Sequence, residues 1–117
     1  MLFRSRAGLF VPLQGPRASA TTSGKRVVIE WHPLAAAHAT TAYAVYRAPA
    51  GSDVTCTTHG ATDCVLNMKR VGRTLRTSFS EKQSAGTFAY RIGLLANKPG
   101  MRGPLLSLGP AVTVRVR

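Results

Sequence analysis

Large apolar residues alternate with small or polar ones along several short stretches of this chain. Val27-Val28-Ile29-Glu30-Trp31 is the first clear case, Tyr43-Ala44-Val45-Tyr46-Arg47 the second, and Phe88-Ala89-Tyr90-Arg91-Ile92 the third. A period of two marks strands with one face buried. The pattern sends Val27, Ile29 and Trp31 to one face, then Tyr43 and Val45, then Phe88, Tyr90 and Ile92 with Leu94 beyond them. Val28, Glu30, Ala44, Tyr46 and Arg91 fall on the opposite faces. Thr77–Ser80 is a shorter strand that buries Phe79, and Ala111–Val116 a last one with Val112, Val114 and Val116 aligned. Pro16–Thr22 suits a first edge strand, where a proline at the start is tolerated. Val65–Gly72 completes a set of about seven strands separated by turn signals, which predicts an all-β, two-sheet sandwich.

Breaks in the pattern place the loops. Pro12, Gly15 and Pro16 end any regular structure near the start, so residues 1–15 are expected as a flexible tail or a weak leader. Their order, basic and then apolar, before the small residues Ala18-Ser19-Ala20, is that of a secretory signal, although the apolar stretch is short and holds Pro12. His32-Pro33 ends the strand at Trp31, because proline has no N–H for the ladder. The alanine-rich 34–41 is too short for a helix stable on its own and reads as a loop. Residues 48–64 form a long insert containing both cysteines, and 97–103 is a Pro/Gly loop.

The order of these pieces resembles a fibronectin type III domain over residues 16–117. Trp31 before Pro33, the Tyr43-Ala44-Val45-Tyr46-Arg47 strand, Arg70-Val71-Gly72, Thr77-Ser78-Phe79 and Gly86-Thr87-Phe88-Ala89-Tyr90-Arg91-Ile92 carry the likeness. Gly103-Pro104 through Ser107 is similar to the turn into that family's last strand. The wording is closest to bacterial modules attached to secreted hydrolases and surface proteins. The resemblance implies an immunoglobulin-like sandwich used for spacing or binding. Its expected core is Val27, Ile29, Trp31, Tyr43, Val45, Phe79, Phe88, Tyr90, Ile92, Val112 and Val114. Two departures stand out: Phe88 replaces a tyrosine whose hydroxyl bonds back to the chain, and the insert after Arg47 is extra.

Composition then narrows the partners. The 117 residues suit one domain. Sixteen basic residues against four acidic give a net charge of +12, and twelve of the sixteen are arginines. Arginine's planar fork suits phosphate and carboxylate, though a GC-rich coding sequence accounts for arginine over lysine as readily. At that charge, weak salt-sensitive attraction to anionic polymers follows in any case. No run of about eighteen apolar residues exists to span a membrane as a helix.

Candidate chemistry is sparse. Tyr46, Arg70, Arg91 and Arg115 are expected together on the outward face of one sheet, where they would grip an anionic polymer such as nucleic acid or cell-wall polymer; outward arginines that merely keep a sheet edge soluble are the simpler alternative. Cys56 and Cys64 would close a loop of about nine residues as a disulfide, which favours an extracytoplasmic setting. Two free thiols, or a zinc site with His59, are the alternatives, the last lacking an obvious fourth ligand. Glu30 and Glu81 lie on separate elements, Asp53 and Asp63 share a loop in which a solvated pair reads as structural, and no nucleophile elbow or phosphate loop is present, so no catalytic residue, metal or cofactor is expected. The sequence thus describes a non-enzymatic, monomeric module of a secreted or surface protein, a spacer or a protein- or polysaccharide-binding accessory. A basic binder of anionic polymer, or a fragment of a secreted polysaccharide hydrolase, are the alternatives.

Overall fold

The computed structural model describes residues 2–4, 10–12, 15–33, 42–56, 64–95 and 105–117. Every regular element among them is a strand. One sheet contains β3 (Ala18–Ser23), β4 (Arg26–Trp31) and β9 (Ser78–Lys82), all antiparallel, with β4 in the centre. The second contains β11 (Leu105–Leu108), β10 (Gly86–Leu95), β5 (Tyr43–Pro49) and β8 (Lys69–Thr74) in that order. Its fifth strand, β12 (Val112–Val116), pairs with the first half of β10, while β11 pairs with the last three residues.

Alternation fixes the contact between these sheets. Val27, Ile29 and Trp31 of β4, Tyr43 and Val45 of β5, Tyr90, Ile92 and Leu94 of β10, and Val114 and Val116 of β12 form one buried cluster. Phe79, Phe88 and Val112 are partly buried against it. The Trp31 and Tyr43 rings meet edge to face, with centroids 5.5 Å apart, an arrangement their quadrupoles favour. All eleven residues expected in the core belong to this cluster or pack on it. These two sheets therefore form an all-β, immunoglobulin-like sandwich.

Glycines shape the framework at two places. The β3–β4 hairpin turns through Gly24-Lys25, with Gly24 at φ +60° and no positive φ at Lys25, the backbone of a type II′ turn. Gly109 sits where β11 gives way to β12. Its N–H donates to the Ile92 carbonyl at 2.8 Å, and a Cβ there would overlap the Pro16 carbonyl. Gly15 donates to the Leu108 carbonyl beside it. Only side-chain-free backbones cross this closely.

A third sheet was not expected. Its order is β2 (Phe10–Pro12), β1 (Leu2–Arg4), β7 (Cys64–Leu66), β6 (Val54–Cys56). Residues 1–15, expected as a tail or leader, thus contribute two strands. The expected loop after Arg47 holds β6 and one end of β7, antiparallel arms with Cys56 opposite Cys64. The expected strand 65–72 is divided, since Asn67 and Met68 separate β7 from β8, and the Asn67 N–H bonds the Asp53 carbonyl. β1 pairs with β7 in parallel, Phe3 opposite Cys64. A pairing across some sixty residues leaves no mark in local periodicity. The expected loops at 34–41 and 97–103 lie outside the described residues.

Candidate functional site

The arginine face follows from the register of the five-stranded sheet. Arg91 of β10 lies opposite Tyr46 of β5, and Tyr46 opposite Arg70 of β8, so three of the four expected residues form one cross-strand row. Arg115 does not join them; it pairs with Thr87, toward the other end of β10. The row is not the open surface that alternation suggested. Tyr46 is 8% exposed and Arg91 9%.

What covers them is a second buried cluster on this sheet's other face. Ala42, Ala44, Tyr46, Ala48, Ala89 and Leu95 belong to it, together with Leu66, Met68 and Leu108. Arg91 reaches within this layer as a strut. Its Nε and Nη2 donate to Asp53 Oδ2 at 3.1 and 2.9 Å, and Nη1 donates to the Gly109 carbonyl at 3.0 Å. One side chain thus holds the insert, β10 and the β11–β12 break together. The guanidinium is bound to the protein's own acceptors, which removes Arg91 as a grip for an external anion. Tyr46 is likewise withdrawn from stacking on a polymer. Arg70 is exposed, donates to the Tyr46 hydroxyl at 3.1 Å and stands 5.6 Å from that ring's centroid. Arg115 is exposed.

Apolar sequence could have revealed the covered face. β5 reads Tyr-Ala-Val-Tyr-Arg-Ala and β10 ends Ile-Gly-Leu-Leu, so Arg91 is the one charge facing the second cluster along β10. Strands buried on both faces are apolar at nearly every position. Small alanines at 44, 48 and 89 leave room for a covering layer.

A second ionic node was not anticipated. Glu81 of β9 accepts from Arg47 of β5 through both oxygens, at 2.8 and 2.7 Å, and from the Tyr90 hydroxyl of β10 at 2.6 Å. The three side chains tie the two sheets together at the margin of the core. Burial, and then the hydrogen bond to Glu81, hold the Tyr90 phenol well above its ordinary pKa. Burial works against a charged Arg47, but the Glu81 hydrogen bond and charge outweigh it, and its pKa rises. Burial also raises the Tyr43 phenol. Phe88 carries no hydroxyl; Tyr90, two residues on, supplies a phenol that joins the sheets through Glu81.

Carboxylates are thus divided between two jobs. Asp53 and Glu81 are each engaged by an arginine. Glu30 is exposed and lines a pocket of about 450 Å³ at the end of the three-stranded sheet, with Arg17, Ser19, His32 and Ser78. Asp63, His38 and His59 lie outside the described residues, so the zinc alternative does too. Among the described residues no group of three or more potential metal ligands occurs, and no helix is long and apolar enough to cross a membrane. The Cys56 and Cys64 backbones are directly paired; the side chains lie outside the described residues.

No family model and no curated protein matches the chain. Among solved structures it is similar to "Titin kinase and its flanking domains", with a TM-score of 0.57 and 18% identity. The alignment covers 92% of this chain and 17% of that one. At that identity the likeness concerns the fold, an immunoglobulin-like β-sandwich.

Proposed function

We propose that the chain is a fibronectin type III-like module of the bacterial kind, non-catalytic, belonging to a secreted or surface protein and serving as a spacer or polysaccharide-binding accessory. The observation that carries this reading is how the polar side chains are used. Asp53 and Glu81 each engage an arginine that joins strands, and Tyr90 donates to the same Glu81. Such groups maintain a shape and are not left free to move protons on a substrate. The likeness in fold is compatible with a module, and the sequence elements from Trp31 to Ile92 supply the narrower family.

The register supports a disulfide between Cys56 and Cys64. Residues directly opposite in an antiparallel ladder have Cα atoms about 4.5–5.5 Å apart, inside the disulfide range of about 4.4–6.8 Å. The bond would fasten the covering insert and suits an oxidising compartment.

Sedimentation of the full chain with insoluble cellulose, chitin and xylan at physiological salt, with reducing-sugar release measured in parallel, tests this reading. Retention on one polymer without release is the expected result of the accessory role. Release of sugar that disappears in Glu30→Gln would overturn the non-catalytic reading.

One observation favours a second reading, a basic binder of anionic polymer. Lys69, Arg70, Arg73 and Arg76 are all exposed along β8, an edge strand, and the bend after it. This reading moves the grip from the sheet face to its edge. DNA binding at low salt that falls steeply with added salt and is lost in Arg70→Glu/Arg73→Glu would support it. Unchanged binding in that variant would remove the edge as the site.

A further inference from the structure

The pocket at the end of the three-stranded sheet has the architecture of a ligand site. Its position follows from where the ladders stop. Ala18 pairs with Trp31 and Glu30 with Ser78, and the Trp31 N–H closes the sheet by donating to the Thr77 carbonyl at 3.0 Å. Beyond these pairs Arg17 and His32 leave the strands. Ser19 lies opposite Glu30, and by the period of two Arg17, Ser19, Glu30, His32 and Ser78 all fall on the sheet's outward face. The two serines are short where their neighbours are long, which leaves a trough of about 450 Å³. Small-molecule sites occupy roughly 300–1,000 Å³.

One observation shows that the trough's groups are unspent. Arg17 and Glu30 line it together without forming an ion pair or hydrogen bond among the described residues, whereas Arg47–Glu81 and Arg91–Asp53 both close.

The lining selects the class of ligand that would engage these groups. A polyanion finds four cations and no acid along Lys69–Arg76, while here Arg17 stands beside the carboxylate of Glu30. Donors (Arg17, Ser19, Ser78) and a strong acceptor (Glu30) share one wall. A hydroxyl group both donates and accepts, so adjacent hydroxyls on one ring satisfy both kinds of group at once. We propose that this trough binds a neutral saccharide, with hydroxyls donating to Glu30 and accepting from Arg17. The proposal rests on the polysaccharide-accessory reading and gives it a location.

Titration of the full chain with cellotetraose, xylotetraose and chitotetraose, followed by amide NMR shifts, tests it. For at least one sugar, shifts are expected at Arg17, Ser19, Glu30 and Ser78, little changed by salt. Arg17→Ala and Glu30→Gln should each weaken binding by about ten-fold, as losing a hydrogen bond to a charged group does, and Arg73→Ala should leave it unchanged. Matching amide spectra of the free variants show that they fold. Shifts confined to residues 69–76, binding undiminished in both variants, or shifts produced by a zwitterionic dipeptide and not by sugars would each overturn the proposal. If the chain is retained on an insoluble polysaccharide while the trough resonances stay still with all three sugars, the trough falls and the accessory reading stands. If it is neither retained nor shifted, both fall.

Discussion

The two faces of the five-stranded sheet are both buried, yet they are built differently. The face toward the three-stranded sheet holds Tyr43, Val45, Tyr90, Ile92 and Leu94, large side chains that interlock across the sandwich. The opposite face holds Ala44, Tyr46, Ala48 and Ala89, with Leu66, Met68 and Leu108 packed among them. An arginine lies within this second layer, held by Asp53 and the Gly109 carbonyl. One face is stabilised by the apolar volume it removes from water; the other also depends on a polar clamp that holds a lid of strands against a smooth surface. The difference teaches that an arginine on an outward position of a strand can be a fastening. Only its surroundings separate that role from a binding one.

Ile92→Ala should show the largest effect, because it opens a cavity where nothing can collapse. A loss of about 2–5 kcal/mol in urea unfolding is expected for such a truncation. A loss below about 1 kcal/mol would mean that the inner face is not the main core.

Arg91→Ala follows, at the low end of about 3–5 kcal/mol for breaking a buried pair, since Asp53 keeps some contact with solvent. Hydrogen exchange should rise first around Asp53 and Gly109, because these lose their donor. Uniform exchange would argue that Arg91 serves the whole fold and not the lid. Cys56→Ser under oxidising conditions should cost about 2–3 kcal/mol in the chain-entropy model. The same substitution in reducing buffer should cost far less, and an equal loss in both would sink the disulfide.

Tyr90→Phe probes the inner face by pH. The folded phenol is held above its ordinary value of about 10 by burial and Glu81. The stability linked to this shift is therefore complete below about pH 10, where the phenol is neutral in both states. It is lost progressively as pH rises above that, because the unfolded chain ionises first. The wild type should lose stability above about pH 10 more steeply than Tyr90→Phe, which costs about 1 kcal/mol at neutral pH through its lost hydrogen bond. Identical alkaline profiles would place the loss on other groups. Arg70→Ala should be the smallest change, under about 1 kcal/mol, because an exposed cation over a ring contributes little. A larger loss would make Arg70 part of the clamp.

Alternation of apolar residues was enough to identify the inner face, from Val27 to Val114, because a strand's side chains must point up or down in turn whatever lies around them. The same rule assigned Tyr46 and Arg91 to the other face, which they do occupy. It is silent on whether that face is wet. The answer depended on β1 meeting β7 and on Asp53 reaching Arg91, contacts between segments 38 or more residues apart. Near-absence of charge facing the second cluster in β5 and β10 was a readable hint, since a wet face would carry more polar residues. The Glu81 node escaped for a similar reason: three residues on three strands become neighbours only after two sheets pack. The trough was hidden further, because Arg17, Ser19 and Ser78 carry no motif and acquire meaning only from register.

The amino-acid sequence by itself determined the strand periodicity, the family likeness, the inward set and the strong positive charge. Each of these is a local or summed property of the chain. Tertiary structure decided which arginines are fastenings and which remain exposed, which carboxylates among the described residues are paired, and that the outer face is covered. Those outcomes are set by distances between residues far apart in the chain, which local preference does not encode.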